Sequence, residues 1–358
     1  MADGRILLTG ATGNVGPHLL ASLLQRGDEG VACLVRASSE EAGLSRVTRA
    51  LQSAGYDASR LAQRITAIPG DLALPRFGLS EPAWSALSTG VRQVVHNAAW
   101  LGQRERFSAE ALTNITGTTA VVDLCLRAGA RLDHVSSIGV LKWTLEDEDG
   151  TLPECVLTAS PEPPDDDTGQ HAYYFSKWMA EQVAIYAGER VPVTVHRLGD
   201  VFSHTADAPL TAAVNAVNTL RSLPDDDLLS WVQHSISDLF AGQSIATIAR
   251  HPSDRLRIMH DISYVHGASV ADMRRAFAEH GVTLRSVPID EWMAAMRRDV
   301  PWLSWMSPWL VDYLVVPKRP VPRFLNRAFM ACLEECGVAI PTIAERLAPV
   351  VAAAVGDG

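Results

Sequence analysis

Short apolar runs alternate with helical patterns over the first 200 residues. The run "RILLT" ends in a glycine turn, and similar runs follow in "GVACLVRA", "RITAIPGDL", "VRQVVHNAA", "LDHVSSIGV" and "VPVTVHRLG". Between them lie segments with helical periodicity, such as "VGPHLLASLLQRG" and "YYFSKWMAEQVAIYAGE". Strands that alternate with helices form parallel sheets through right-handed crossovers. The pattern predicts an α/β fold with a doubly wound parallel sheet.

The pattern changes after about residue 200. An acid-rich stretch from Trp143 to Gln170 interrupts the first half, and the later half is mostly helical, with strands expected at "LRIMHDIS" and "TLRSVPI". We therefore expect a dinucleotide-binding domain over residues 1–200 and a mostly helical, mainly substrate-binding subdomain over residues 201–358. Tryptophan collects in the second part, at Trp292, Trp302, Trp305 and Trp309.

A glycine-rich turn follows the first predicted strand and opens a helix. In "TGATGNVG" the glycines are spaced three apart, and this context is typical of a Rossmann-type dinucleotide site. The first glycine permits the tight turn, the second lets backbone approach a pyrophosphate, and the helix N-terminus attracts the phosphates. A glycine turn with no ligand is the alternative. The predicted cofactor-binding residues here are Thr9, Gly10, Thr12, Gly13, Asn14, Val15 and Gly16.

The ends of the second and third strands bear on which cofactor binds. Arg36 stands where an NAD enzyme has an acid, and Arg46 lies on the next helix. Arginine there can pair with a 2′-phosphate, so the sequence favours NADPH over NADH, with the alternative that Arg46 is only a solvated helix residue. Asp71 and Leu72 follow the third strand, where Asp71 is expected to reach the adenine amino group or to serve only as a turn residue.

Tyr173 and Lys177 are four residues apart and therefore share a helix face, whereas Tyr174 is rotated away from it. An ammonium group beside a phenol favours the phenolate, so we expect Lys177 to lower the pKa of Tyr173. A hydroxyl partner is available in Ser136 or Ser137 at the end of the fifth strand. This combination predicts a proton-transfer site.

Composition excludes several classes of protein. The net charge of −10 argues against nucleic-acid binding. The five cysteines form no CxxC pair, and the eleven histidines show no ligand spacing, so we expect neither disulfides nor a metal. The N-terminus has no signal-peptide pattern and no apolar run is long enough to span a bilayer, which predicts a cytoplasmic protein.

The chain resembles the extended short-chain dehydrogenase/reductases. Within them it is most similar to the thioester reductase domains that end nonribosomal peptide synthetases and carboxylic acid reductases. The resemblance covers nearly the whole chain and rests on "LLTGATGNVG", "CLVRA", "GDLALPRFGLS", "VVHNAAW", "NITGTTAVVDLC", "VSSIGV", "YYFSKWMAEQ", "VTVHRLGDV" and "IDEWMAAM".

This resemblance implies roles for individual residues. The family's hydroxyl residue lies three positions before a valine, here Val140, and so corresponds to Ser137 and not Ser136. Tyr173 corresponds to the general acid, and Lys177 to the residue that binds the nicotinamide ribose and tunes the tyrosine. Asn97, with Ala98 and Ala99, lines the cofactor cleft, and Asn114 corresponds to an asparagine that some relatives use in a proton relay or that is here structural.

The implied function is NADPH-dependent reduction of an acyl, aminoacyl or peptidyl thioester, with release of an aldehyde or an alcohol. The implied partner is an acyl or peptidyl carrier protein with a phosphopantetheine arm. The basic segment from Lys318 to Arg327 is either a docking edge for this partner or a solvated loop between helices. Two alternatives remain: a reductase, epimerase or dehydratase of a small carbonyl compound or nucleotide sugar, and a non-catalytic dinucleotide sensor.

Overall fold

A seven-stranded parallel sheet forms the centre of the protein. It is seen in a computed structural model that describes residues 5–100, 109–141, 151–152, 154, 169–202, 209–225, 230–231, 235–251, 253, 255–263, 268–300 and 323–356. The strands are β1 Arg5–Thr9, β2 Val31–Val35, β3 Ile65–Pro69, β4 Val91–His96, β5 Arg131–Ser137, β6 Thr151–Leu152, β7 Val193–Leu198, β8 Asp200–Phe202, β9 Ser222–Pro224, β10 Ser230–Trp231, β11 Ser235–Ser237, β12 Arg257–Asp261, β13 Ala268–Ser269, β14 Arg285–Val287 and β15 Arg323–Phe324.

The order of strands in the sheet is β12–β7–β5–β4–β1–β2–β3, and each neighbouring pair is parallel. The doubly wound parallel sheet predicted from the sequence is therefore confirmed. The helices are α1 Gly16–Gln25, α2 Glu40–Ser53, α3 Ala58–Leu61, α4 Glu81–Gly90, α5 Ala109–Ala128, α6 Gly169–Ala187, α7 Pro209–Leu220, α8 Asp238–Arg250, α9 Val270–Glu279, α10 Ile289–Asp299, α11 Arg327–Glu335 and α12 Ile343–Gly356.

Both faces of the sheet are covered, as the apolar strands require. Side chains alternate along β1, so Ile6 and Leu8 join a core with α1, α2, α8 and α11, whereas Leu7 joins a core with α4, α5 and α6. The first residues of α2 have the features of a helix N-terminus. The Ser39 side chain accepts a hydrogen bond from the Ala42 amide, and two acidic residues occupy the first turn.

Segments beyond residue 200 contribute to both parts of the molecule. The α8 and α11 helices pack on the central sheet, and β12 is its edge strand beside β7. A separate core joins α7, α9, α10 and α12 around Trp292, whose indole N–H donates to the Ser222 carbonyl over 3.0 Å. The division into domains of residues 1–200 and 201–358 stays a prediction. The structure adds that β12, from the second of these ranges, pairs with β7 in the central sheet.

Some sequence predictions fall on residues 101–108, 142–150, 155–168 or 301–322, which lie outside the described residues. They include Trp302, Trp305, Trp309, most of the acid-rich stretch and the first part of the basic segment. Within the described parts of the chain, no helix is long and apolar enough to cross a membrane. The same parts contain no cluster of three or more candidate metal-ligating side chains.

A buried histidine connects three strands of the sheet. His196 on β7 forms a 2.7 Å hydrogen bond from Nδ1 to Asp261 Oδ2 on β12, and its Nε2 lies 3.5 Å from Asp133 Oδ1 on β5. Burial lowers the pKa of His196, but the two carboxylates outweigh burial and raise this pKa to about 9. The imidazolium thus stabilises the sheet between two negative charges.

This raised pKa predicts a loss of stability at alkaline pH. The contribution of His196 is fully present below its unfolded pKa of about 6.5 and is lost as the pH rises through about 9. Asp261→Asn should reduce this loss, which in the native protein is at most about 3 kcal/mol. Urea unfolding at pH 6.5 and pH 9 measures it, with the exposed Asp123→Asn as the control. An equal loss in the native protein and in Asp261→Asn would contradict the assignment.

Candidate active site

The glycine turn between β1 and α1 forms one side of the site. Gly10 has a φ of +73°, and a Cβ there would lie 2.7 Å from the Ala98 amide nitrogen. A Cβ on Gly16 would lie 2.1 Å from the Gly10 carbonyl oxygen. On Gly13, in contrast, a Cβ would meet its nearest atom at 3.6 Å. Packing therefore requires Gly10 and Gly16, whereas Gly13 leaves backbone exposed for the close approach of a ligand.

The turn leads into a helix N-terminus suited to phosphate. Val15 is the N-cap residue of α1 and provides no side-chain cap, and Pro17 lies in the first turn. The first amide groups of a helix have no partner within the helix and carry its positive dipole end. Thr12 and Asn14 are exposed on either side of Gly13. These features fit the pyrophosphate of a dinucleotide.

The end of β4 holds the glycine turn in place. The buried Thr9 hydroxyl accepts a hydrogen bond from the Ala98 amide over 3.1 Å, and the Asn97 side chain donates to the Gly10 carbonyl over 3.2 Å. Thr9 is also hydrogen-bonded to His96 Nδ1 over 2.7 Å. The predicted residues Thr9, Asn97 and Ala98 are thus brought together, with Ala99 exposed beside them.

A cavity of about 310 Å³ lies between the glycine turn and α2. Arg46 and Arg49 both line it, together with Thr12, Gly13 and Asn14. The Arg46 guanidinium also donates to the backbone carbonyl of Arg36, whose own side chain is exposed at the end of β2. Sequence reasoning missed Arg49, although its spacing of three from Arg46 puts both on one helix face.

Asp71 forms a hydrogen bond in the turn after β3, and Leu72 packs against a neighbouring helix. Asp71 Oδ1 accepts a hydrogen bond from the Ala73 amide over 3.0 Å and so builds the turn after β3. Leu72 packs against α5, where a Cβ on Gly117 would lie 3.1 Å from the Leu72 Cβ. The turn role of Asp71 is visible, and its expected contact with adenine stays a prediction.

The two serines at the end of β5 have different partners. The Ser137 side chain is hydrogen-bonded to Tyr173 and accepts from the Gly139 amide over 3.1 Å. Ser136 instead donates to Glu181 over 2.5 Å. The geometry therefore pairs Ser137 with the tyrosine. Catalysis by this pair remains a prediction.

Burial shifts the pKa values of Tyr173 and Lys177 on α6. Lys177 is 3% exposed and its Nζ donates to the Val135 carbonyl over 2.7 Å. Burial lowers the pKa of Lys177 to about 8, with the Glu181 carboxylate acting in the opposite direction. Burial and the charge of Asp200 raise the pKa of Tyr173, and the hydrogen bond from Ser137 offsets part of this rise. The expected lowering of the Tyr173 pKa by Lys177 is wrong for this structure, because burial dominates.

Tyr174 packs on a turn, and Asn114 forms hydrogen bonds between two segments of the chain. The Tyr174 ring covers the turn after Ser137 so closely that a Cβ on Gly139 would lie 2.1 Å from its Cε1 atom. Asn114 on α5 accepts from the Trp100 amide over 2.7 Å and donates to the Ser176 hydroxyl over 3.0 Å. Asn114 thus ties the segment after β4 to α6, which favours its structural role.

Three comparisons bear on this fold and site. A family model described as male sterility protein matches residues 8–225. The isonitrile lipopeptide synthase of Streptomyces coeruleorubidus is 32% identical over 311 residues, covering 82% of this chain and 20% of that protein. The L-2-aminoadipate reductase large subunit of Eremothecium gossypii is 29% identical over 337 residues, covering 88% of this chain and 24% of that protein. The chain thus spans about a fifth to a quarter of the length of these two relatives.

Solved structures show the same fold. The terminal R domain of the myxalamid PKS-NRPS pathway superposes with a TM-score of 0.82 at 24% identity, covering 100% of this chain and 92% of that one. A thiolation-reductase di-domain from an archaeal non-ribosomal peptide synthetase superposes with a TM-score of 0.79 at 16% identity, covering 99% and 75%.

The parallel sheet, the glycine turn and the family match define the class of extended short-chain dehydrogenase/reductases, whose cofactor is a nicotinamide dinucleotide. Within this class the chain belongs to the male sterility protein family. The resemblance to reductase domains of nonribosomal peptide synthetases is confirmed by these matches.

The glycine turn supports a test of dinucleotide binding. Gly13→Ala should fold normally, because its Cβ meets nothing closer than 3.6 Å, yet should weaken binding by about tenfold or more by blocking the phosphate. Gly16→Ala, whose Cβ would overlap the Gly10 carbonyl, should instead lower the melting temperature. Fluorescence titration with NADPH and thermal unfolding measure the two effects. If Gly13→Ala binds NADPH as tightly as the native protein does, the prediction that the phosphates bind at this turn is wrong.

Proposed function

We propose that the protein is an NADPH-dependent reductase of an acyl, aminoacyl or peptidyl thioester presented by a carrier protein, and that it releases an aldehyde. The observation that carries the reductase chemistry is the hydrogen-bonded pair of Ser137 and Tyr173, one helical turn from the buried Lys177. This group lies at the carboxyl end of β5, and β4 separates it from the glycine turn after β1. Ligands of such sheets bind at this edge.

The raised pKa of Tyr173 suits a proton donor. A phenol whose pKa lies above 10 keeps its proton at neutral pH, which is the state that reduction of a carbonyl requires. Reduced nicotinamide, when bound, supplies the hydride for the thioester carbon. Ser137 and Tyr173 donate hydrogen bonds to the carbonyl oxygen as it gains negative charge, and Tyr173 yields the proton. The resulting hemithioacetal collapses to an aldehyde and a thiol.

The relatives support a carrier-bound substrate. Two solved neighbours are reductase domains of peptide synthetase systems, and one of these is joined to a thiolation domain. We assign the delivery of substrate to an acyl or peptidyl carrier protein with a phosphopantetheine arm. We assign substrate binding mainly to the region after residue 200, where α7, α9, α10 and α12 form their own core.

The residues around the glycine turn fit a dinucleotide with a 2′-phosphate. Gly13 leaves open backbone at the N-terminus of α1, and the adjoining cavity is lined by Arg46 and Arg49. Arg36 stands exposed at the end of β2. Several cations beside this cavity favour NADPH over NADH.

The arginines are testable one at a time. Arg36→Ala, Arg46→Ala and Arg49→Ala should each raise the Michaelis constant for NADPH and leave that for NADH nearly unchanged. The largest effect should be about tenfold or more, since hydrogen bonds to charged groups contribute about 1.5–3 kcal/mol. Arg60→Ala, an exposed residue paired with Asp57, is the control. A native enzyme that prefers NADH would overturn the choice of cofactor.

The substrate class is tested by NADPH oxidation against carrier-bound thioesters, acyl-CoAs, free aldehydes, ketones and a nucleotide sugar. We expect turnover of carrier thioesters with formation of an aldehyde, detected by trapping with a hydroxylamine. Turnover of ketones or the nucleotide sugar without thioester reduction would support the small-carbonyl alternative. Dinucleotide binding without turnover of any substrate would support a sensor.

The same assay separates the two tyrosines. Tyr173→Phe should lose about a hundredfold or more in turnover, the usual scale for a general acid, while still binding NADPH. Tyr174→Phe keeps the ring that covers Gly139 and should have much less effect. Equal losses in both variants would contradict the assignment of Tyr173.

A further inference from the structure

The helix that carries Tyr173 and Lys177 has a third polar residue on the same face. Glu181 lies four residues after Lys177 and is fully buried. Its Oε2 accepts from the Ser136 hydroxyl over 2.5 Å, and its Oε1 accepts from Arg197 Nη2 over 2.7 Å and Nε over 3.1 Å. Arg197 is also fully buried. The chemistry proposed above uses neither member of this ion pair.

The ion pair lies where three strands meet α6. In the sheet Arg197 on β7 is paired with Ser136 on β5 and with His260 on β12. Its guanidinium also donates to the Glu154 carbonyl over 3.4 Å. Glu181 therefore anchors α6 to β5 one residue before Ser137. The anchored face is the one from which Lys177 reaches the Val135 carbonyl.

Stability does not explain why this pair is ionic. The loss of hydration on burial is several kcal/mol per ion, and apolar replacements of similar volume are often neutral or stabilising. The Glu181 carboxylate has a further effect, because it lies one helical turn after Lys177 on α6 and its negative charge favours the ammonium form of that residue. Burial lowers the pKa of Lys177 to about 8, and among the described residues Glu181 is the charge that opposes this lowering.

Among the described residues, the other titratable groups around α6 do not offset the burial of Lys177. His96 on β4 and His134 on β5 have pKa values lowered by burial and by the Lys177 ammonium, so both are neutral. Arg197 on β7 is a cation held by Glu181. On α6 itself Tyr173 keeps its proton, and Asp200 on β8 acts on that tyrosine.

We propose that Glu181 and Arg197 are positioning residues for Lys177. Arg197 holds the Glu181 carboxylate in place, and the carboxylate keeps Lys177 charged and seated on the Val135 carbonyl beside Ser137. This inference rests on the proposed function, in which Lys177 supports the reduction.

Three variants test the inference by the pH dependence of kcat/KM. Glu181→Gln removes the charge but leaves Arg197 buried without its partner, which threatens folding. The double variant Glu181→Leu with Arg197→Met removes both charges and fills similar volume. The control is Glu29→Gln. Glu29 also accepts from two arginines, Arg92 and Arg250, but it lies before the amino end of β2, whereas the site lies at the carboxyl ends of the strands.

The native enzyme should lose activity above a pH of about 8, as Lys177 loses its proton. In both Glu181 variants this upper limit should move down by about one pH unit, whereas Glu29→Gln should keep the native limit. A folded double variant with the native limit would overturn the inference.

A second measurement does not depend on activity. Because the folded pKa of Lys177 lies below the unfolded value of 10.5, its share of stability rises with pH from about 8 upwards. In urea unfolding between pH 7 and pH 9, the rise should begin about one unit lower in the Glu181 variants and be absent in Lys177→Met. The opposite contribution of His196 is common to all variants.

The two measurements separate the possible failures. If Lys177 takes no part in the reduction, the unfolding curves will shift while the activity profile stays unchanged. If Glu181 does not act on Lys177, neither measurement will change.

Discussion

The buried ammonium group of Lys177 is the constraint on which the rest of the site depends. A charged group that is 3% exposed has lost nearly all of its hydration and keeps its proton only if the protein replaces that hydration. The Val135 carbonyl and the Glu181 carboxylate provide this replacement, one from β5 and one from α6. Both are in place only when α6 lies against the end of β5, and the same placement joins Tyr173 to Ser137.

The cofactor turn is connected to this helix through the protein interior. Hydrogen bonds run from Thr9 to His96, from His96 to Thr118 over 3.0 Å, and from Thr118 to the Asn114 carbonyl over 2.7 Å. The Asn114 side chain then donates to Ser176 on α6. A histidine with one protonated nitrogen can donate at one end and accept at the other, and burial keeps His96 neutral by lowering its pKa to about 3. The two halves of the site therefore share one buried hydrogen-bonded chain.

Local sequence patterns were enough for the central elements and the glycine turn, because strand length, helix caps and glycine spacing are short-range properties. The bounds of β1 agree with its apolar run, and Gly10 forms the tight turn predicted for it, with a φ of +73°. The place of β12 beside β7 depends on pairing between residues some sixty positions apart, which no local pattern encodes. The prediction that the pKa of Tyr173 is lowered is wrong, because burial raises this pKa and the burial of a side chain follows from the assembled fold.

The later segments that return to the sheet are connected to the site through Glu154 and Arg197. The Glu154 carboxylate accepts from the Ala328 amide over 2.7 Å and from the Phe329 amide over 3.2 Å, at the N-terminus of α11, and also from the His260 amide on β12. A carboxylate at a helix N-terminus satisfies unpaired amides and opposes the helix dipole. The Glu154 carbonyl in turn accepts from Arg197, which holds Glu181. One series of contacts thus runs from α11 through Glu154 and Arg197 to Glu181, on the helix of Tyr173.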